Sequence, residues 1–207
     1  DMGIDTEQVI GFANPGSGND TREQYVSKYK AFADELTRLR EVEKTASISN
    51  IPGGGSADIS STSGGVTIIG KTERVESTVY LSSMNDQLTE TLDIEVIAGR
   101  NFNHELASDT TALIINEAFL KLVNISDPES VINQYLKFGR NPEGSKYPIV
   151  GVIRDYNRSS LKNNVEPTVF QHSEVAGSTV IKLSGNNLTA GIENIQTIWK
   201  RFFPNAP

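Results

Sequence analysis

Two helical stripes sit at opposite ends of this 207-residue chain, and neither can be covered by its immediate neighbours in sequence. Over residues 21–40 the apolar positions Tyr25, Tyr29, Phe32, Leu36 and Leu39 follow the alternating four-and-three spacing of one helix face. Asp20 followed by Glu23 offers a capping box at its start. Leu188, Ile192, Ile195, Trp199 and Phe202 form the second stripe. Pro204 must end it, because the proline ring removes a donor and clashes with the preceding turn. Strands are predicted at 7–12 and 43–49 around the first helix, and at 147–155, 168–172 and 178–183 before the second. The run Ile149-Val150-Gly151-Val152-Ile153 is apolar throughout, as a buried strand requires. A strand–helix layer needs a partner for its apolar face, so the two chain ends are expected to pack as one α/β unit.

The middle reads differently. Ile51-Pro52-Gly53-Gly54-Gly55-Ser56 is a cluster of structure breakers, and 60–65 is a second flexible stretch. Strands are predicted at 66–69 and 75–81, joined by a polar turn at Gly70-Lys71-Thr72. A short helix near 86–92, a strand at 94–98, a strand at 112–115 running into a helix from Asn116, and a strand at 134–138 follow. The expected fold is therefore α+β with two lobes. A subdomain of 1–50 plus 147–207 is built from both ends, and 51–146 is inserted within it.

The chemistry the chain can support is narrow. Without cysteine, disulfides, thiolate metal sites and a cysteine nucleophile are excluded. A net charge of −7 argues against nucleic acid, whose phosphates need a cationic surface. The segment Gly11-Phe12-Ala13-Asn14-Pro15-Gly16-Ser17-Gly18 lies between a strand and a helix, as a phosphate loop would. It lacks the Lys and Ser or Thr that meet phosphate and metal, and it reads as a plain loop. His104 and His172 are too few for a zinc site, and His104-Glu105 meets Ser108 where a zincin has its second histidine. No G-x-S-x-G elbow occurs, and the acids Asp93 and Glu95 read as a solvated strand face rather than a hydrolytic pair. Sequons at Asn19, Asn124, Asn157 and Asn187 are chance matches in a chain rich in Asn and Ser. No cofactor and no catalytic or metal-binding residue is expected. No stretch approaches the ~20 apolar residues of a membrane span. The opening Asp1-Met2-Gly3-Ile4-Asp5 carries no leader pattern and reads as part of something longer.

Six segments, in chain order, resemble the MacB-type periplasmic core domain of FtsX-like permeases. They are Asp1-x-Gly3-Ile4-Asp5 with Val9-Ile10; Ser47-Ile48-Ser49-Asn50-Ile51-Pro52-Gly53; Leu92-x-Ile94-x-x-Ile97-Ala98-Gly99-Arg100-Asn101-Phe102; and Ile114-Ile115-Asn116-Glu117-Ala118. Ile149-Val150-Gly151-Val152-Ile153-x-Asp155-Tyr156, followed by Ser160-Leu161 and Pro167, is the fifth, and Trp199 with Phe203-Pro204 is the sixth. The glycine-rich stretch 53–65 matches nothing in particular. The signature positions Gly99, Arg100, Phe102, Asn116, Glu117, Ala118, Gly151, Val152, Asp155, Tyr156 and Pro167 are expected to be structural. Gly99 and Gly151 would permit unusual backbone or close approaches. Asn116 would cap the helix after it, with Glu117 near the positive helix end. Arg100 is expected to pair with a carboxylate such as Glu117.

The resemblance implies a porter-like lobe from both chain ends and an inserted Sabre-like lobe. It implies an extracytoplasmic domain of an ABC-transporter permease at the bacterial inner membrane, anchored by transmembrane helices of the same permease. ATP hydrolysis would occur in a separate domain or subunit, and the outer lobes would drive export or act on a periplasmic adaptor or other partner. The full-length transporter is expected to be a dimer, while isolated outer domains can be monomeric once the membrane helices that pair them are missing. Two other readings compete. A solute- or peptide-binding module would use the cleft between the lobes, and a hydrolase would need a site that no motif reveals.

Overall fold

The computed structural model describes residues 3–4, 7–52, 60–62, 65–139, 141, 143–156, 164–184 and 188–206. The sequence features at 53–59, Asn157, Ser160-Leu161 and Asn187 lie outside them.

Both end helices form where the apolar stripes place them. The first, α1, spans Arg22–Leu36 and the last, α4, spans Leu188–Phe202. The capping box of α1 lies one residue later than the sequence suggested. Thr21 Oγ1 accepts the Gln24 N–H (3.3 Å) and Gln24 Oε1 accepts the Thr21 N–H (2.9 Å). Asp20 instead faces Lys28 (3.5 Å), a half-exposed pair of little energetic consequence. Between the helices run β1 (Val9–Ala13), β2 (Val42–Ile48), β3 (Ser60–Thr62), β4 (Val66–Ile68) and β5 (Val79–Met84). They are followed by the short α2 (Leu88–Thr91), β6 (Val96–Gly99), β7 (Leu113–Asn116) and α3 (Glu117–Leu122). The last strands are β8 (Tyr135–Phe138), β9 (Lys146–Ile153), β10 (Thr168–His172) and β11 (Ser178–Leu183).

One mixed sheet carries these strands in the order β1-β11-β2-β5-β10-β7-β9-β8-β4, with β3 attached to β5 and β6 to β9. Among the described residues only β5–β10 and β7–β9 are parallel. The expected hairpin across Gly70-Lys71-Thr72 is reduced to a single bridge between Val66 and Val75. The ladder of β4 goes instead to β8, and its former partner strand begins only at Val79. The physical reason is burial: Val79 and Met84 are fully enclosed, whereas 76–78 are polar and outside any strand.

Three apolar clusters hold the sheet. Under α1 and α4, Phe32 meets the rings of Trp199, Phe202 and Phe203 at centroid distances of 5.7, 5.8 and 5.3 Å. Such pairs add roughly 0.5–1.5 kcal/mol each beyond area burial. Strand β7 is buried on both faces: Ile114 points into a cluster with Ile48, Leu88 and Phe170, while Leu113 and Ile115 join Phe119, Val152 and Val169 on the other side. β9 and β10 lie among β5, β6, β7 and β8, so the later chain segment supplies central strands to the sheet that the middle segment also builds.

Candidate functional site

Strand β9 and the residues just after it carry four of the signature positions, Gly151, Val152, Asp155 and Tyr156. Gly151 lies opposite Gly99 in the β6–β9 ladder. A Cβ on Gly151 would sit 2.1 Å from the Arg100 carbonyl oxygen, and one on Gly99 would sit 2.3 Å from that of Val150. Gly99 also has φ +67°, in the left-handed region that favours glycine. The close approach lets the Arg100 N–H reach the Val150 carbonyl at 2.9 Å. Val152, one residue on, is fully buried between the strands.

The Arg100 side chain does pair with a carboxylate, but the partner is Asp109 and not Glu117. It grips Asp109 through two bonds, Nη1 to Oδ2 at 2.6 Å and Nη2 to Oδ1 at 2.7 Å. Asp109 also accepts the Asn103 N–H at 2.9 Å. The fork geometry of guanidinium on carboxylate explains the preference, and the short turn from Arg100 to Asp109 delivers it. The Asp109 side chain is 1% exposed and that of Arg100 43%, so the carboxylate is the buried partner. Arg100 holds its carboxyl below the usual carboxylate range, against the opposing effect of burial. Replacing Arg100 with Ala is expected to cost about 2 kcal/mol, or roughly 4–8 °C of melting temperature, by stranding a buried acid. Because the Asp109 pKa is depressed in the folded state, this stability is present above the unfolded value of about 3.9 and vanishes as pH falls through the folded one. Melting curves of both proteins should therefore differ at neutral pH and converge in strong acid; a constant gap would sink the assignment.

Phe102 is buried and meets the His172 ring edge-on at 5.5 Å. Beside it, Asn101 donates to the Asp86 carbonyl (2.6 Å) and to Thr89 Oγ1 (2.7 Å). His104 Nδ1 lies 2.6 Å from Asp86 Oδ2, which raises the histidine pKa, yet its side chain is well exposed.

Just past the C-terminal end of β9 a second group forms a reciprocal clasp. Asn116 caps α3, its Oδ1 accepting the N–H of Phe119 (3.1 Å) and also that of Thr168 (2.9 Å), while Nδ2 donates to the Glu166 carbonyl (2.9 Å). Glu117 Oε2 accepts the Asp155 N–H (2.9 Å), and Asp155 Oδ1 accepts the Ala118 N–H (2.7 Å). Lys121 Nζ reaches Asp155 Oδ2 at 2.9 Å, and Arg154 bonds Glu95 at 2.7 Å. Tyr156 is buried against Phe170 at 6.3 Å. Pro167 offers its carbonyl to the Tyr80 N–H (2.9 Å). The signature residues thus fall into two groups joined by β9, and their polar partners Asp109, Lys121 and Arg154 carry no sequence signal of their own. Among the described residues no cluster of three or more His, Asp or Glu is placed to hold a metal ion. No helix of the described residues is long and apolar enough to cross a membrane.

This arrangement has the chemistry of a scaffold that ties strands to helices, and the fold that carries it is a known one. The chain has the fold of the extracytoplasmic domains of MacB-type ABC-transporter permeases. It is similar to the periplasmic region of MacB from Actinobacillus actinomycetemcomitans, with 15% identity over 96% of this chain and 85% of that one at a TM-score of 0.58. It is also similar to the extracellular domain of the noncanonic ABC-type transporter YknZ from Gram-positive bacteria, with 11% identity over 93% of both chains at a TM-score of 0.57. No family model and no curated protein matches the sequence.

Proposed function

We propose that the chain is the extracytoplasmic domain of an FtsX-like ABC permease, itself without catalytic activity. It would be held by transmembrane helices outside these residues and moved by ATP hydrolysis in a separate cytoplasmic domain or subunit. Its output would be export or action on a partner outside the membrane. The observation that carries the reading is the fold shared with two transporter domains over at least 93% of the chain.

Within this reading, 1–50 with 147–207 forms one lobe and 51–146 the other. The clasp between Asp155 and the start of α3, and the Arg100 N–H on Val150, then both join one lobe to the other. Movement delivered through the terminal segments would reach α3 and β6 through these bonds.

These 207 residues carry no cysteine, so within them a label attaches only where one is introduced. Spin labels at Lys30Cys and Lys71Cys, both exposed positions, would be placed in the full-length gene product reconstituted in membranes with its ATPase. A separation that changes on ATP addition is the expected result. A product that fractionates wholly with soluble protein, or labels whose separation ignores ATP, would overturn the reading.

A further inference from the structure

Strand β2 outruns one of its neighbours. It pairs with β11 from Val42 to Ile48 but with β5 at Ile48↔Met84 alone, because β5 ends there and the chain turns toward α2. A single residue prolongs the line of β5. Asn85 gives its N–H to the Ser47 carbonyl (3.0 Å), and its Oδ1 accepts the Ser47 N–H (3.0 Å). In an antiparallel ladder alternate residues turn both backbone groups to the same side. Ser47 faces Asn85, so Thr45 also turns its N–H and C=O away from β11. Nothing among the described residues takes them.

The space beside Thr45 is a groove of about 450 Å³ between α1 and the turn that follows β5. His172, the last residue of β10, lines the same groove, and its buried Nε2 has no hydrogen-bond partner among the described residues. The groove's cations are already engaged: Lys30 by Glu174 at 2.7 Å and Lys44 by Glu90 at 3.1 Å. His104 is engaged by Asp86. Asp34 and Glu43, both exposed on the lining, have no ion-pair partner among the described residues. The uncompensated charge is negative.

We propose that this slot docks an extended, basic peptide segment of a partner protein, added as a strand to the free edge of β2. Strand addition satisfies the Thr45 backbone groups, and side chains at alternate positions point the same way, so lysine or arginine at every second position meets Asp34 and Glu43. The proposal rests on the sheet geometry and does not depend on the membrane reading.

The test uses the 207-residue chain and a short acetylated, amidated peptide of alternating lysine and valine, followed by amide NMR. Shift changes centred on Thr45, Asn85 and His172, with slowed exchange of the Thr45 amide, are expected. The glutamate–valine counterpart should bind about tenfold more weakly or worse. Methylating alternate peptide nitrogens should abolish binding, and Glu43→Lys, which sets one lysine against Asp34, should erase the charge preference without touching the backbone. Thr45→Pro removes the outward N–H at an edge position that tolerates proline, and should weaken binding with the fold retained. Equal binding of both peptides, shifts centred elsewhere, or concentration-dependent Thr45 shifts without peptide (self-association through the same edge) would each refute the assignment.

Discussion

Replacing Gly151 with alanine should cost about 4 kcal/mol, lowering the melting temperature by roughly 8–16 °C. The new methyl carbon would lie 2.1 Å from the Arg100 carbonyl oxygen, a backbone atom that cannot rotate away. The β6 and β9 strands must separate, which forfeits the Arg100 N–H to Val150 bond and loosens the turn that aims Arg100 at Asp109. Gly99→Ala meets the same ladder from the opposite strand at 2.3 Å, with a positive φ in addition. Once either change has parted the strands, the second has less to disrupt, so the double variant should lose less than the sum. Gly70→Ala provides the contrast, with φ +75° but nothing within 4 Å, and should cost only about 1 kcal/mol. A Gly151→Ala protein melting within the range of Gly70→Ala would show that the strands are not held this closely.

The second large effect belongs to Asn116. Truncation to alanine removes the α3 cap, about 1 kcal/mol, and leaves the buried Thr168 N–H without its acceptor, about 1–3 kcal/mol more. A total near 3 kcal/mol corresponds to roughly 6–12 °C. Asn116→Asp separates the contributions, since both accepting contacts survive while the donor to Glu166 is lost. Amide exchange at Thr168 should accelerate sharply in the alanine variant and much less in the aspartate one. Equal acceleration in both would place the main role of Asn116 in its donor.

What the sequence reveals here depends on how local the cause is. The end helices were legible because Phe32 and Trp199 belong to stripes that a single period exposes. Asn116 was legible as a cap because its acceptor serves a residue three positions away. Its bond to Thr168 was not, since 52 positions intervene. The expected Arg100–Glu117 pair failed for a related reason: sequence offers many carboxylates, and only the turn after Phe102 shows that Asp109 lies inside the fork. The predicted strand at 75–81 was misplaced because its pattern contains a hairpin signal, whereas the burial of Val79 and Met84 against distant strands decided the outcome. The groove at β2 had no signal at all, as it arises from β5 stopping early beside a longer neighbour.

The seating of the first strand beside the penultimate element has a temporal side. β1 is held by β11 at registers such as Val9↔Lys182, and Phe12 rests on Trp199 at 4.9 Å. During synthesis the aromatic face of α1 therefore stays unsheltered until the last segment has emerged, a delay of order 10 s at usual elongation rates. Long-range pairing of this kind also slows closure once the chain is complete. Whatever protects Phe32 and Phe12 in that interval, a chaperone or a holding contact, does so until α4, the last element of the chain, arrives to cover them.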